Sequence, residues 1–186
     1  MRSYTPLPFL ALMVVFARPT GASMGIGIAL VIMGEMIRLW GVSIAGSETR
    51  TTGPVGGTFL ITQGPFAYVR NPLYLGNMLL YVGVGVMSQA LFPWLTLAAL
   101  LYFLWQYALI VSLEEEYLGK KFGDEYSRYS QRVPRFFPVF QRYPASANEQ
   151  PELDWGRGIV SERSTLLSIG SVTLLLVLIA CLQSGR

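Results

Sequence analysis

PLYLGNMLLYVGVGVMSQALFPWLTLAALLYFLWQYALIVSL, residues 72–113, holds no Asp, Glu, Lys or Arg. It divides at Phe92-Pro93, a pair suited to a tight turn, so the spacing predicts two antiparallel helices over 72–91 and 93–113. A membrane-spanning helix needs about 20 mostly apolar residues, and each half supplies that number. Asn71 is a favourable helix cap, and Pro72 suits a first helical position, where no amide proton is needed. Tyr74, Asn77, Tyr81, Gly85 and Ser88 recur every three or four residues, which puts a polar, small-residue stripe on the first helix. Gly83-Val84-Gly85 lets a backbone or a ligand approach closely, although glycines are also common where membrane helices pack.

Composition agrees with this hairpin. The chain has 186 residues, 52% hydrophobic and 13% charged, with mean hydropathy +0.44. Soluble domains carry about a quarter charged residues. We therefore expect an all-α integral membrane protein, one domain over residues 1–186, with about five transmembrane helices. The chain has no histidine, which excludes imidazole bases, Ser-His-Asp triads and His-ligated metals. The one cysteine, Cys181, lies in an apolar run and builds no disulfide framework or redox pair. Chemistry must rest on carboxylates, guanidiniums, amines, phenols, amides and backbone.

Outward from the hairpin, residues 6–17 read as a short first helix and 24–45 as a full span carrying Glu35 and Arg38 one turn apart. Two readings fit that pair: it braces a polar site, or it snorkels near the interface beside Trp40. Residues 46–63 form a Gly/Thr-rich loop, in which Gly56-Gly57 lacks the context of a phosphate loop. The fourth helix continues past 113 into EEEYLGKKFG and stops near Gly123. A short polar helix from 124 ends at Val133-Pro134, with Tyr126 and Tyr129 among Arg128, Arg132 and Arg135, a mixture suited to the headgroup layer. A polar linker over 139–160 leads to an uncharged last span, 164–183. Five spans place eleven Lys and Arg on one side and Arg18 and Arg186 on the other. By the positive-inside rule the richer side, with the N-terminus, is cytoplasmic.

That topology brings Arg70, Asn71 and Tyr74, at the entrance to the third helix, towards Glu114 and Glu115, at the exit of the fourth. GPFAYVRNPLYLGN (64–77), EE-x-x-L (114–118) and FGDEYSRYSQRVPRFFP (122–138) together resemble the membrane methyltransferase superfamily. Its members include isoprenylcysteine carboxyl methyltransferases and phospholipid N-methyltransferases. The resemblance covers roughly residues 34–138. It implies an enzyme that uses S-adenosylmethionine from the cytoplasmic face and a lipid or prenylated acceptor from the bilayer, with no nucleic-acid partner and no metal.

The family's Arg-His-Pro motif and the tyrosine after it fall on Arg70, Asn71, Pro72, Leu73 and Tyr74. By resemblance, cofactor contacts fall on Leu60, Ile61, Phe66, Asn71, Tyr74, Gly83, Gly85 and Glu114. Arg70 would pin an anionic group, Tyr74 would line the transfer site, and Glu115 or Tyr74 would take a proton from an amine acceptor. Two residues depart from the pattern. Asn71 replaces the histidine and cannot titrate, and Ile110 replaces an arginine that the isoprenylcysteine branch uses for the substrate carboxylate. The expected activity is carboxyl O-methylation of a lipid or isoprenylcysteine-type acceptor. The alternatives are phospholipid N-methylation and a non-catalytic scaffold with a degenerate site.

Overall fold

A computed structural model describes residues 5–46, 60–144 and 150–184. The described residues hold five α-helices and no strand: α1 (Leu7–Val15), α2 (Gly21–Ala45), α3 (Pro72–Ser88), α4 (Trp94–Arg132) and α5 (Trp155–Ser184). The all-helical membrane architecture is as expected, and α2, α4 and α5 are long and apolar enough to cross a bilayer. The other two helices are shorter than the five-span reading assumed, with 9 residues in α1 and 17 in α3. Gly56-Gly57 and Arg50, like Arg2 and Arg186, lie outside the described residues.

Local chemistry sets boundaries that apolar runs do not show. Helix α2 starts at Gly21 rather than 24, because Thr20 and Ser23 cap each other reciprocally. The Thr20 hydroxyl accepts from the Ser23 amide at 3.1 Å and the Ser23 hydroxyl from the Thr20 amide at 2.9 Å. Helix α3 ends at Ser88, three residues early, where Gln89 and Leu91 adopt positive φ of 52° and 45°. Helix α5 begins at Trp155, well inside the expected linker. Asp154 caps it, accepting the Arg157 amide at 2.9 Å. Gly123 does stop the straight run of α4: at φ 51° and ψ −121° it breaks the helix, and a short segment continues to Arg132.

The described residues form two compact units, and α2 to α5 each contribute to both. The first unit comprises residues up to Glu35, Asn77–Trp105 and Ser164 onward. Its core includes Met13, Val31, Met87, Phe103 and Leu176. Within it α2 and α3 meet at bare backbone: a Cβ on Gly83 would lie 2.8 Å from the Gly27 carbonyl oxygen. Helices α3 and α4 pair through the stacked rings of Tyr81 and Phe103, 4.0 Å between centroids.

The second unit comprises Met36–Gly76 and Gln106–Arg163. Its core joins Leu60, Tyr126, Tyr129 and Val133, with Leu118, Phe122 and Tyr143 against them. Tyr126 and Tyr129 therefore do not face headgroups as expected; they are 7% and 3% exposed. A phenol ring buries a large apolar area once its hydroxyl has a partner, and here each hydroxyl has one.

Candidate functional site

Arg70, Asn71, Tyr74, Glu114 and Glu115, the polar site residues expected from the sequence, all fall in the second unit, where three motifs meet. The first enters through a 3-10 turn over Gly64–Ala67, opened by Gly64 at φ 58°. A Cβ at Gly64 would lie 2.1 Å from the tip of the Ile44 side chain, which would have to turn aside, and the positive φ is what calls for glycine here. The Tyr129 hydroxyl donates to the Phe66 carbonyl at 2.7 Å and fixes this turn to the end of α4. Burial pushes the Tyr129 hydroxyl well above the ordinary tyrosine range, so it stays a donor. Downstream, the amides of Arg70, Val139 and Tyr143 donate to the carbonyls of Pro134, Tyr68 and Ala67 at 2.9, 3.0 and 2.9 Å. The third motif is thereby laced to the first.

Asn71 accepts the Leu75 amide on its carbonyl at 3.1 Å, which starts α3, while its side-chain amide donates to the Arg135 carbonyl at 3.1 Å. One turn on, Tyr74 donates to Glu114 Oε1 at 2.9 Å and stacks on Tyr107 with ring centroids 4.6 Å apart.

Glu115 sits between two guanidiniums. Arg70 Nη1 is 3.2 Å from its Oε1, while Arg135 donates to the same oxygen through Nε at 3.2 Å and to Oε2 through Nη2. Arg70 Nη1 also donates to the Tyr126 hydroxyl at 3.3 Å. Burial raises the Tyr126 hydroxyl above its ordinary range, reinforced by the Glu115 charge and opposed by Arg70. Arg70 Nε is buried with no hydrogen-bond partner among the described residues. A buried donor of this kind costs free energy unless something accepts from it.

The structure thus gathers Arg70, Asn71, Tyr74, Glu114 and Glu115 in the second unit, along with Leu60, Ile61 and Phe66. The Leu60 side chain is only 5% exposed and belongs to the core. Gly83 and Gly85 belong to the first unit, where Gly83 faces Gly27 and Val31, and Gly85 faces Thr96. Sequence reasoning missed Tyr107, the pairing of Arg135 with Glu115, and Gln150. Gln150 uses both ends of its amide: Oε1 accepts the Thr62 amide at 3.0 Å, and Nε2 donates to the Leu60 carbonyl at 3.0 Å. It also missed Glu162, which is fully buried and lies 2.5 Å from Arg38.

The sequence profile of phospholipid methyltransferases matches residues 22–125, more than half of the chain. The chain belongs to the phospholipid methyltransferase family. Among its relatives, the cobalt-zinc-cadmium resistance protein CzcN of Cupriavidus metallidurans is 33% identical over 63% of this chain and 49% of that protein. Protein-S-isoprenylcysteine O-methyltransferase B of Arabidopsis thaliana is 30% identical over 60% of this chain and 57% of that protein.

A solved structure of the eukaryotic intramembrane Ras methyltransferase, an isoprenylcysteine carboxyl methyltransferase, matches at a TM-score of 0.56. That match has 26% identity and covers 65% of this chain and 44% of that one. The chain spans about half the length of the curated resistance proteins it matches, 49% and 51%. The family match ends at 125, so Arg135, Gln150 and Glu162 lie beyond it.

Proposed function

We propose that this family member is an S-adenosylmethionine-dependent methyltransferase acting on a lipid or isoprenylcysteine-type acceptor in the bilayer, with its cofactor side cytoplasmic. The observation that carries the reading is the convergence of three separated motifs on two bonded groups joined at the neighbouring residues Glu114 and Glu115. Arg70 and Tyr74 come from the first, Glu114 and Glu115 from the second, and Tyr126 and Arg135 from the third.

The donor set fits the cofactor. Glu114 offers carboxylate lone pairs of the kind that ribose hydroxyls donate to. The stacked Tyr74 and Tyr107 rings offer π faces, which attract a sulfonium as they attract other cations. Arg70 Nε supplies the orphaned donor that a carboxylate would satisfy. Bound, the cofactor brings a methyl group already activated on a sulfonium, so a chain without histidine is equipped for the reaction.

The residues then divide the work. Tyr74 orients Glu114 through their 2.9 Å hydrogen bond. Glu115, held on both oxygens by Arg70 and Arg135, is better suited to position those arginines than to act as a base. Catalysis rests mainly on alignment and water exclusion.

A second reading, transfer to a phospholipid amine, is favoured by one feature. Ile110 stands where an arginine would meet a substrate carboxylate, and Arg70 and Arg135 already share Glu115. An amine must lose a proton. Tyr74 can accept it at Oη while passing its own proton to Glu114 Oε1.

The test gives the purified chain methyl-labelled S-adenosylmethionine with a prenylcysteine, phosphatidylethanolamine or a small thiol. Label in the prenylcysteine supports the first reading, and label in phosphatidylethanolamine the second. Folded protein that binds no cofactor refutes both.

A further inference from the structure

We infer that the loop RFFPVFQR, residues 135–142, is an interfacial anchor that seats on an anionic lipid surface. Phe137 and Phe140 are 82% and 105% exposed, the two most exposed large apolar side chains among the described residues. Isolated exposed apolar residues need no explanation, but two phenylalanines on one short loop with exposed arginines around them form a patch. Arg142 follows on the same loop, and Arg128 and Arg132 lie on the last helical turns before it, all three exposed.

The loop is not held open by slackness. Its backbone is tied by Val139 to the Tyr68 carbonyl, by Tyr143 to Ala67, and by the Arg135 carbonyl to the Asn71 side chain. A chain segment fixed by this many bonds presents its phenylalanines outward as part of its native geometry.

Its level relative to the apolar run of α4 names the occupant. Arg135 reaches Ser112 at 3.5 Å and pairs with Glu115, so the loop begins beside the place where the uncharged run 93–113 ends. Leu113 there is 67% exposed. Aromatic side chains favour this depth of a bilayer, where an apolar ring and a polar neighbour are both accommodated. Guanidiniums at the same level attract anionic headgroups. An acidic protein surface would satisfy the arginines but not explain two phenylalanines at the edge of a membrane span.

The experiment places the full chain, with Cys181→Ser, in lipid nanodiscs containing either phosphatidylglycerol or only phosphatidylcholine. An environment-sensitive fluorophore is attached at Phe137→Cys, at Phe140→Cys or, as a control, at Lys120→Cys on the exposed face of α4. The expected result is blue-shifted emission at 137 and 140, quenched by nitroxide-bearing lipid, with water-like emission at 120. The shift is larger with phosphatidylglycerol, and that excess is lost in high salt and in an Arg132→Gln, Arg142→Gln background. Water-like emission at both loop positions in both bilayers overturns the inference. So does protection that appears only when two chains share a disc, which would assign the patch to a second copy. None of these readouts requires methyl transfer, so the proposed activity stands or falls separately.

Discussion

Replacing Glu162 should be among the most damaging single changes to stability, although it lies outside the family match. Its carboxylate is 2.5 Å from Arg38 Nη2, and the two side chains are 1% and 12% exposed. Removing one partner of a buried ion pair typically costs about 3–5 kcal/mol, because the remaining charge keeps its desolvation penalty without that attraction. The slight exposure of Arg38 places Glu162→Leu near the lower end, roughly 3 kcal/mol. That is about a hundredfold in the folded-to-unfolded ratio, at 1.36 kcal/mol per decade. Arg38→Met leaves the more deeply buried charge behind and should cost at least as much. The double variant removes both charges and fills the space with apolar atoms, a change that is often neutral or stabilising. Unfolding by SDS titration in mixed micelles should therefore rank the double variant above either single. If the double variant loses the sum of the two single losses, the side chains are not coupled and the reasoning fails.

Other outcomes follow from single contacts. Tyr74→Phe removes a hydrogen bond to a carboxylate, worth about 1.5–3 kcal/mol, so cofactor affinity measured by calorimetry should fall roughly tenfold or more with the fold intact. Gln150→Leu keeps the volume but deletes both backbone bonds to the Leu60–Thr62 segment; at about 1 kcal/mol each, stability should drop by about 2 kcal/mol, and the Thr62 amide should exchange faster with deuterium. Gly83→Leu overpacks the crossing with α2 and should destabilise by about 1–3 kcal/mol or more; unchanged S-adenosylmethionine affinity in the folded fraction would make Gly83 a packing residue, and a large loss would give it a cofactor role. Tyr129 has a folded pKa raised above the unfolded tyrosine value of about 10. Its contribution to stability is therefore complete below about pH 10 and lost as pH rises towards the folded value. Unfolding series between pH 8 and 11, by about unit steps, should show a steeper alkaline loss in the native chain than in Tyr129→Phe.

The fold was legible where it depends on long apolar runs and helix punctuation. Residues 72–113 read as a helical hairpin because no charge interrupts them and Phe92-Pro93 does. Gly123 read as a stop because glycine tolerates the φ of 51° that breaks α4. What stayed illegible depends on partners distant in sequence. Glu162 precedes an uncharged span and looks solvated until Arg38, 124 residues away, is placed beside it. Gln150 sits in a stretch that reads as linker, and its amide becomes a clamp only when the Leu60–Thr62 backbone, some 88 residues earlier, lies alongside. Tyr126 and Tyr129 look interfacial because they alternate with arginines, yet helical geometry turns the two tyrosines inward while Arg128 and Arg132 point out.

The charge arrangement at the site is the part that sequence adjacency most disguises. Glu114 and Glu115 are neighbours and read as one acidic pair, but successive residues on a helix point about 100° apart. Glu115 turns to Arg70 and Arg135, which more than offset its single negative charge before any ligand is considered. Glu114 turns to a phenol, which donates a hydrogen bond to its Oε1. On the function proposed above, a cationic ligand would meet the stacked Tyr74 and Tyr107 rings, and an anionic one the buried Nε of Arg70. A zwitterion that also carries a sulfonium matches both, because the same molecule presents a carboxylate to one and a cation to the other. A ligand with only one of these charges would use the rings or the Arg70 Nε, but not both.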